Sequence, residues 1–207
     1  MSLTADLAKS GARLRGRPRE FDVDAALDRA IVVFAERGYQ GASIAELKAA
    51  MGLASGSLYK AFPDKLAIFL AAFERYKTVR DGVLQAAVGK GKTGRDKVRR
   101  LLSYYAEASV GESGRRGCLV VAGATELALL NEEAARTVAS ALLRNLSFLA
   151  DLIREGQGDG SISPAIDPEP VARTLLSLGQ GLRVLGKTGL QDTDAEAVVE
   201  TAMRLLD

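Results

Sequence analysis

The 207-residue sequence contains no histidine, no tryptophan and a single cysteine, Cys118. One cysteine cannot form an internal disulfide, and without histidine the Cys/His zinc sites are out of reach. The commonest general base of enzymes is missing as well. No metal or cofactor is expected. Long apolar runs are also absent. The longest, Cys118 to Leu130, is interrupted by Glu126 and falls short of the roughly 20 residues a membrane helix needs. The first residues lack the charged-then-apolar order of a secretion signal, so a cytoplasmic location is expected. Alternating strand patterns are scarce too.

What is present is apolar spacing of three and four residues, the period of helices that bury one face. Ala26, Leu27, Ala30, Val33 and Phe34 form one stripe, with Gly38 placed as a C-terminal cap. Further stripes are Leu66, Phe69, Leu70 and Phe73, then Val98, Leu101, Leu102 and Tyr105. Val138, Leu142, Leu146, Leu149 and Ile153 continue the pattern, followed by Leu175, Leu178, Leu182 and Leu185, and by Val198, Ala202 and Leu205. Gly89, Gly91 and Gly94 punctuate one loop and Gly111 and Gly114 the next. The proline- and glycine-rich stretch from Gly156 to Pro170 separates two long helices. These features predict an all-α fold of about nine helices, with apolar residues at 47% supplying a sizeable core. Net charge is only +2, but it is uneven. Residues 1–80 carry 13 Lys/Arg against 9 Asp/Glu, and residues 81–207 carry 15 against 17. The basic excess lies at the front, as expected if only the front meets phosphate.

The segment from Ser43 to Lys65 carries the most specific signal. Ser43 stands three residues before Glu46, the spacing of a capping box. Gly52 falls where a tight turn needs positive φ, and a second short helix is predicted from about Ser55 to Ala61. Two short helices joined through a glycine turn are the unit that sets a recognition helix into the major groove. Leu58 and Phe62, four apart, should face inward and leave Ser55, Gly56, Ser57, Tyr59 and Lys60 outward. Gly56 permits close backbone approach, Ser57 can bond a base edge or phosphate, Tyr59 can reach phosphate or a thymine methyl, and Lys60 supplies charge. Pro63 ends the helix. Asp64 caps the next one, which puts Lys65 in a first turn where a phosphate is favoured. The plain alternative is two short helices in a bundle with ordinary surface residues.

From about Gly16 to Tyr76 the chain resembles the TetR family of bacterial repressors, through Phe34, Gly38, Ser43, Ile44, Gly52, Leu58, Tyr59, Phe62, Asp64 and Lys65. It departs from that pattern at Lys48, usually a small buried residue, at Met51, and at Ala54, where the family carries a serine cap. Ser55 is then the candidate cap, and the register of the recognition helix stays open. The resemblance implies a basic arm (residues 1–20), a helix-turn-helix head (21–65) that binds duplex DNA, and a helical body (66–207) that takes an effector and forms a homodimer. Arg13, Arg15, Arg17 and Arg19 alternate along the arm. Such an arm enters a minor groove, or merely adds nonspecific attraction. Candidate DNA contacts are Arg17, Ser43, Ser55, Gly56, Ser57, Tyr59, Lys60 and Lys65. Phe69, Phe73, Tyr104, Tyr105, Cys118 and Glu126 lie on helices that would line an effector pocket; aromatic residues at helical spacing also serve as plain core. Cys118 follows Arg115 and Arg116, so it is a redox-sensing candidate or a small core residue. Leu175, Leu178, Gly181, Leu182 and Leu185 are the candidate dimer face, or internal core. The expected role is a ligand-responsive repressor of a palindromic operator, the rivals being a helical protein-binding adaptor and an enzyme. No phosphate loop, metal cluster or triad supports the enzyme, and Glu132 and Glu133 read as helix-start charges.

Overall fold

The computed structural model describes residues 21–126 and 129–207, and among these it contains ten α-helices and no strand. Helix α1 (Val23–Gly41) is capped by Asp22, whose carboxylate accepts from the amide of Ala25 at 3.0 Å. Helix α2 (Ile44–Met51) opens with the predicted box: the Glu46 amide donates to Ser43 Oγ, and the Ser43 amide donates to Glu46 Oε2 at 3.0 Å. It closes at Gly52, φ 68°, with the Leu53 amide returning to the Lys48 carbonyl, a left-handed cap that admits glycine without steric cost. Helix α3 (Ser55–Ala61) and the 24-residue α4 (Lys65–Val88, capped by Asp64) follow.

The body continues with α5 (Gly94–Glu107), α6 (Gly111–Arg116), α7 (Leu119–Thr125) and α8 (Glu132–Gly158). It ends with α9 (Pro168–Leu185), α10 (Asp192–Met203) and single 3-10 turns at Gly186–Thr188 and Arg204–Leu206. Two details differ from the sequence pattern. The Gly111–Gly114 stretch forms α6 instead of a loop. Gly156 lies inside α8, where a Cβ would come within 2.5 Å of the Ile162 side chain, and its backbone is crossed closely by Gly94. A Cβ added at Gly94 would come within 2.1 Å of the Gly156 amide nitrogen.

Apolar packing forms two clusters. One joins Leu27, Phe34, Leu47 and Leu58 of the head to Phe69 and Phe73 of α4, Leu119 of α7 and Val138 of α8. The other holds Tyr105, Ile153, Leu175, Leu182 and Val199 in the body. Packing is therefore continuous from the three head helices into the start of α4. A head resting on a rigid lever can be moved by whatever tilts the lever.

Candidate nucleic-acid interface

Helix α3 is held from beneath. Leu58 is fully buried against the head core and Phe62 nearly so, while the Phe62 amide closes the helix on the Leu58 carbonyl at 2.8 Å. That anchoring leaves the opposite face to solvent: Ser55, Gly56, Ser57, Tyr59 and Lys60 are all exposed, Tyr59 at 55%. Nothing lies within 4 Å of a Cβ built on Gly56, so a groove wall can approach the backbone there. Ala54 occupies the cap position with no side-chain bond. Ser55 does not take the cap; its hydroxyl accepts from Lys48 Nζ at 3.3 Å, and the register is thereby set with Ser55 as the first helical residue. Lys48, a departure from the family pattern, thus ties α2 to the start of α3. Ser43 stays exposed at the start of α2, its hydroxyl engaged with Glu46 at 2.8 Å. Hydrogen bonds from Ser43 hold the Glu46 carboxyl below its ordinary value.

Lys65 has a structural role as well. The sequence pattern points it at a phosphate, but its ammonium donates to the Tyr39 and Ala42 carbonyls at 3.0 and 3.2 Å and lies 4.5 Å from the centre of the Tyr39 ring. It satisfies carbonyls at the end of α1 with two of the three N–H donors an ammonium has. Arg17 lies outside the described residues.

The effector candidates separate. Phe69 and Phe73 are fully buried, with Phe34 edge-on to Phe69 at 5.3 Å and Phe73 at 5.8 Å from it; their place is in closed core, not at an open pocket. Glu126 is a correction. Its carboxylate accepts from the amides of Tyr39 and Gln40 at 2.7 and 3.2 Å, pinning the end of α7 to the head where α1 breaks at Gly38. Only Cys118 and the neighbours Tyr104 and Tyr105 converge, and they do so on Arg80, which sequence reasoning missed. Arg80 Nη1 lies 3.1 Å from Cys118 Sγ and 3.4 Å from Tyr76 Oη. The guanidinium carbon sits 5.0 Å from the Tyr105 ring centre and 5.4 Å from that of Tyr104. Burial pushes the Cys118 thiol up, yet Arg80 and the Tyr76 hydrogen bond bring it below its ordinary value. Burial also raises Tyr76 and Tyr105. Arg80 was visible as a cation four residues after Tyr76 and seven after Phe73, on the inward side of α4.

The candidate dimer face also divides. Leu175 and Leu182 are buried within their own chain, whereas Leu178 and Leu185 are 37% and 51% exposed. A step of three residues turns a helix by about 300°, so the two pairs form neighbouring rows rather than one face. The half-buried Gly181, with Leu178, Leu185, Val184 and Leu205, makes up the outer row.

The model described as "Bacterial regulatory proteins, tetR family" matches residues 26–72, and "Tetracyclin repressor-like, C-terminal domain" matches residues 94–203, more than half of the chain. The chain belongs to the TetR family. It is a DNA-binding transcriptional regulator. This TetR-family chain is 26% identical over 204 residues to the HTH-type transcriptional repressor ComR of Escherichia coli, covering 98% of itself and 97% of ComR. It is 28% identical to the transcriptional regulator AcuR of Cereibacter sphaeroides, covering 90% and 88%. A solved structure of the TetR-family regulator CifR, a cysteine mutant complexed with 26 bp double-strand operator DNA, superposes with a TM-score of 0.81 at 32% identity, over 93% of this chain and 100% of that one. No helix among the described residues is long and apolar enough to cross a membrane.

Proposed function

We propose that the protein is a ligand-responsive repressor that reads a palindromic operator as a homodimer, with residues 21–65 as the DNA-binding unit and the remaining helices as the effector and dimer unit. The observation that carries this reading is the solvent face of α3, where Ser55, Gly56, Ser57, Tyr59 and Lys60 stand on the buried Leu58 and Phe62. Such a face suits a major groove: Ser57 and Tyr59 contact base edges or phosphates, and Lys60 contacts phosphate. The apolar row Leu178, Val184, Leu185 and Leu205 on α9 and beyond α10 favours twofold pairing, two helices from each subunit, which would set two recognition helices about one DNA turn apart. CifR, similar over 93% of this chain, is complexed with operator DNA, which favours the same partner here. A protein-binding adaptor would leave the α3 face without a role.

The test is operator binding, using the palindrome recovered from genomic fragments that the protein retains. Tyr59→Ala and Lys60→Ala are expected to weaken binding about tenfold each, or about 1.4 kcal/mol, without changing the melting temperature, because both side chains are exposed. Affinity should fall steeply with salt. If both variants bind as tightly as the parent, α3 is not the recognition helix.

A further inference from the structure

Two arginines of the body, one buried and one half-buried, have no carboxylate partner. Arg183 of α9 is 3% exposed, and its Nη2 donates to the Gly117 carbonyl at 2.6 Å. Its Nε and Nη1 are sealed from solvent and meet no acceptor. One turn earlier on the same helix, the Gln180 amide is sealed from solvent and unpartnered as well. Arg80, from α4, has only the Cys118 sulfur and the Tyr76 hydroxyl as hydrogen-bond acceptors. Among the described residues neither guanidinium is part of an ion pair. A buried cation with free N–H groups is strongly disfavoured unless an anion meets it. Arg80 stands at the seam between the two apolar clusters, Val120 and Ala141 on one side and Leu84 and Tyr105 on the other, and Arg183 reaches it from behind through Gly117, the neighbour of Cys118.

We propose that this seam is the effector site of the regulator and that it takes a small monoanion, an organic carboxylate with a short apolar tail, whose charge is received by Arg183 and Arg80. The proposal rests on the ligand-responsive reading above and names the chemistry of its ligand. A guanidinium fork matches a carboxylate in two parallel bonds, and the tail would lie against Leu84, Val120 and Ala141. Cys118, whose thiol Arg80 and the Tyr76 hydrogen bond bring below its ordinary value, lies against Arg80 at 3.1 Å, and Lys77, Asp81 and Arg144 also line the cavity.

The site also has a route to the head. The cavity beside Arg80 measures about 20 Å³, room for about one water. Any organic acid must therefore part α4 from α7 and α8. Helix α7 ends at its cap Glu126, which holds the Tyr39 and Gln40 amides, and Lys187, just after α9, reaches the Ala35 carbonyl of α1 at 3.4 Å. Opening the seam shifts α1 and the lever α4 together, and with them the recognition helix. The ligand loosens DNA by its preference for the opened state.

The experiment uses the full-length protein with acetate, butyrate, hexanoate, butyramide, phosphate and chloride, followed by thermal melting and by operator release. At least one carboxylate is expected to raise the melting temperature by several degrees and to weaken operator binding tenfold or more, while butyramide does neither. Arg183→Met should bind that carboxylate at least tenfold more weakly, yet melt no lower than the parent, since an apolar chain of similar length replaces an unpaired buried charge. If Arg183→Met does not fold, Arg183→Lys, which keeps the charge and loses the fork, should bind severalfold more weakly. Equal effects of butyramide and butyrate, a response confined to phosphate or chloride, or unchanged carboxylate affinity in either variant would overturn the proposal. Failure of the parent to bind operator would sink the repressor reading alone, because melting reports carboxylate binding independently of DNA.

Discussion

Replacing Gly38 by alanine strikes the joint between head and body. Gly38 has φ 73° and ψ 176°, a region that residues with a Cβ enter at a cost of about 1–3 kcal/mol. The added carbon would also come within 2.1 Å of Glu126 Oε1, so the carboxylate must leave the Tyr39 and Gln40 amides. Hydrogen bonds to a charged group are worth about 1.5–3 kcal/mol each; for this half-buried pair about 2 kcal/mol in total is reasonable. Gly38→Ala should thus lose about 3–5 kcal/mol and lower the melting temperature by roughly 10 °C, at about 2–4 °C per kcal/mol for a chain of this size. The decisive assay is a double-mutant cycle with Glu126→Ala, followed by denaturant unfolding. With Glu126 already removed, Gly38→Ala should cost only the backbone part, leaving a coupling of about 2 kcal/mol. If Gly38→Ala costs the same in both backgrounds, the carboxylate is not the link between α7 and α1.

Two further outcomes follow from the same geometry. Lys65→Met removes the ammonium from the Tyr39 and Ala42 carbonyls and should cost about 2 kcal/mol, seen as a melting temperature lower by roughly 4–8 °C; a variant that loses operator affinity at unchanged stability would restore Lys65 to the phosphate. Ser43→Ala removes the cap of α2, at about 1 kcal/mol, and frees the Glu46 carboxyl. Since folding lowers the Glu46 pKa, its contribution is present above the ordinary carboxylate range and disappears as pH falls through the lowered value. The gap between parent and Ser43→Ala in melting temperature should therefore narrow in acid, and a gap constant down to pH 3 would show that Glu46 takes no part.

The effector candidates show where sequence reasoning is strong and where it stops. Leu58 and Phe62 were placed correctly because local periodicity decides which face of a short helix is apolar. Phe69, Glu126 and Lys65 could not be placed that way. Phe69 and Lys65 lie on α4 and Glu126 caps α7, but each meets a partner at least 23 positions away in the chain. The row of Leu175, Leu178, Leu182 and Leu185 divided for a related reason: spacing shows that a helix has an apolar side, not how much of that side its own chain covers.

By itself, then, the order of residues determined the all-α class, the box at Ser43 and Glu46, the left-handed turn at Gly52 and the outward face of α3, because each depends on neighbours within one or two turns. Tertiary structure alone decided that Lys65 and Glu126 fasten the head, and that Arg80 and Arg183 approach Cys118 from helices about 100 residues apart. Burial and charge balance are properties of the packed interior, and no stretch of chain read in isolation contains them.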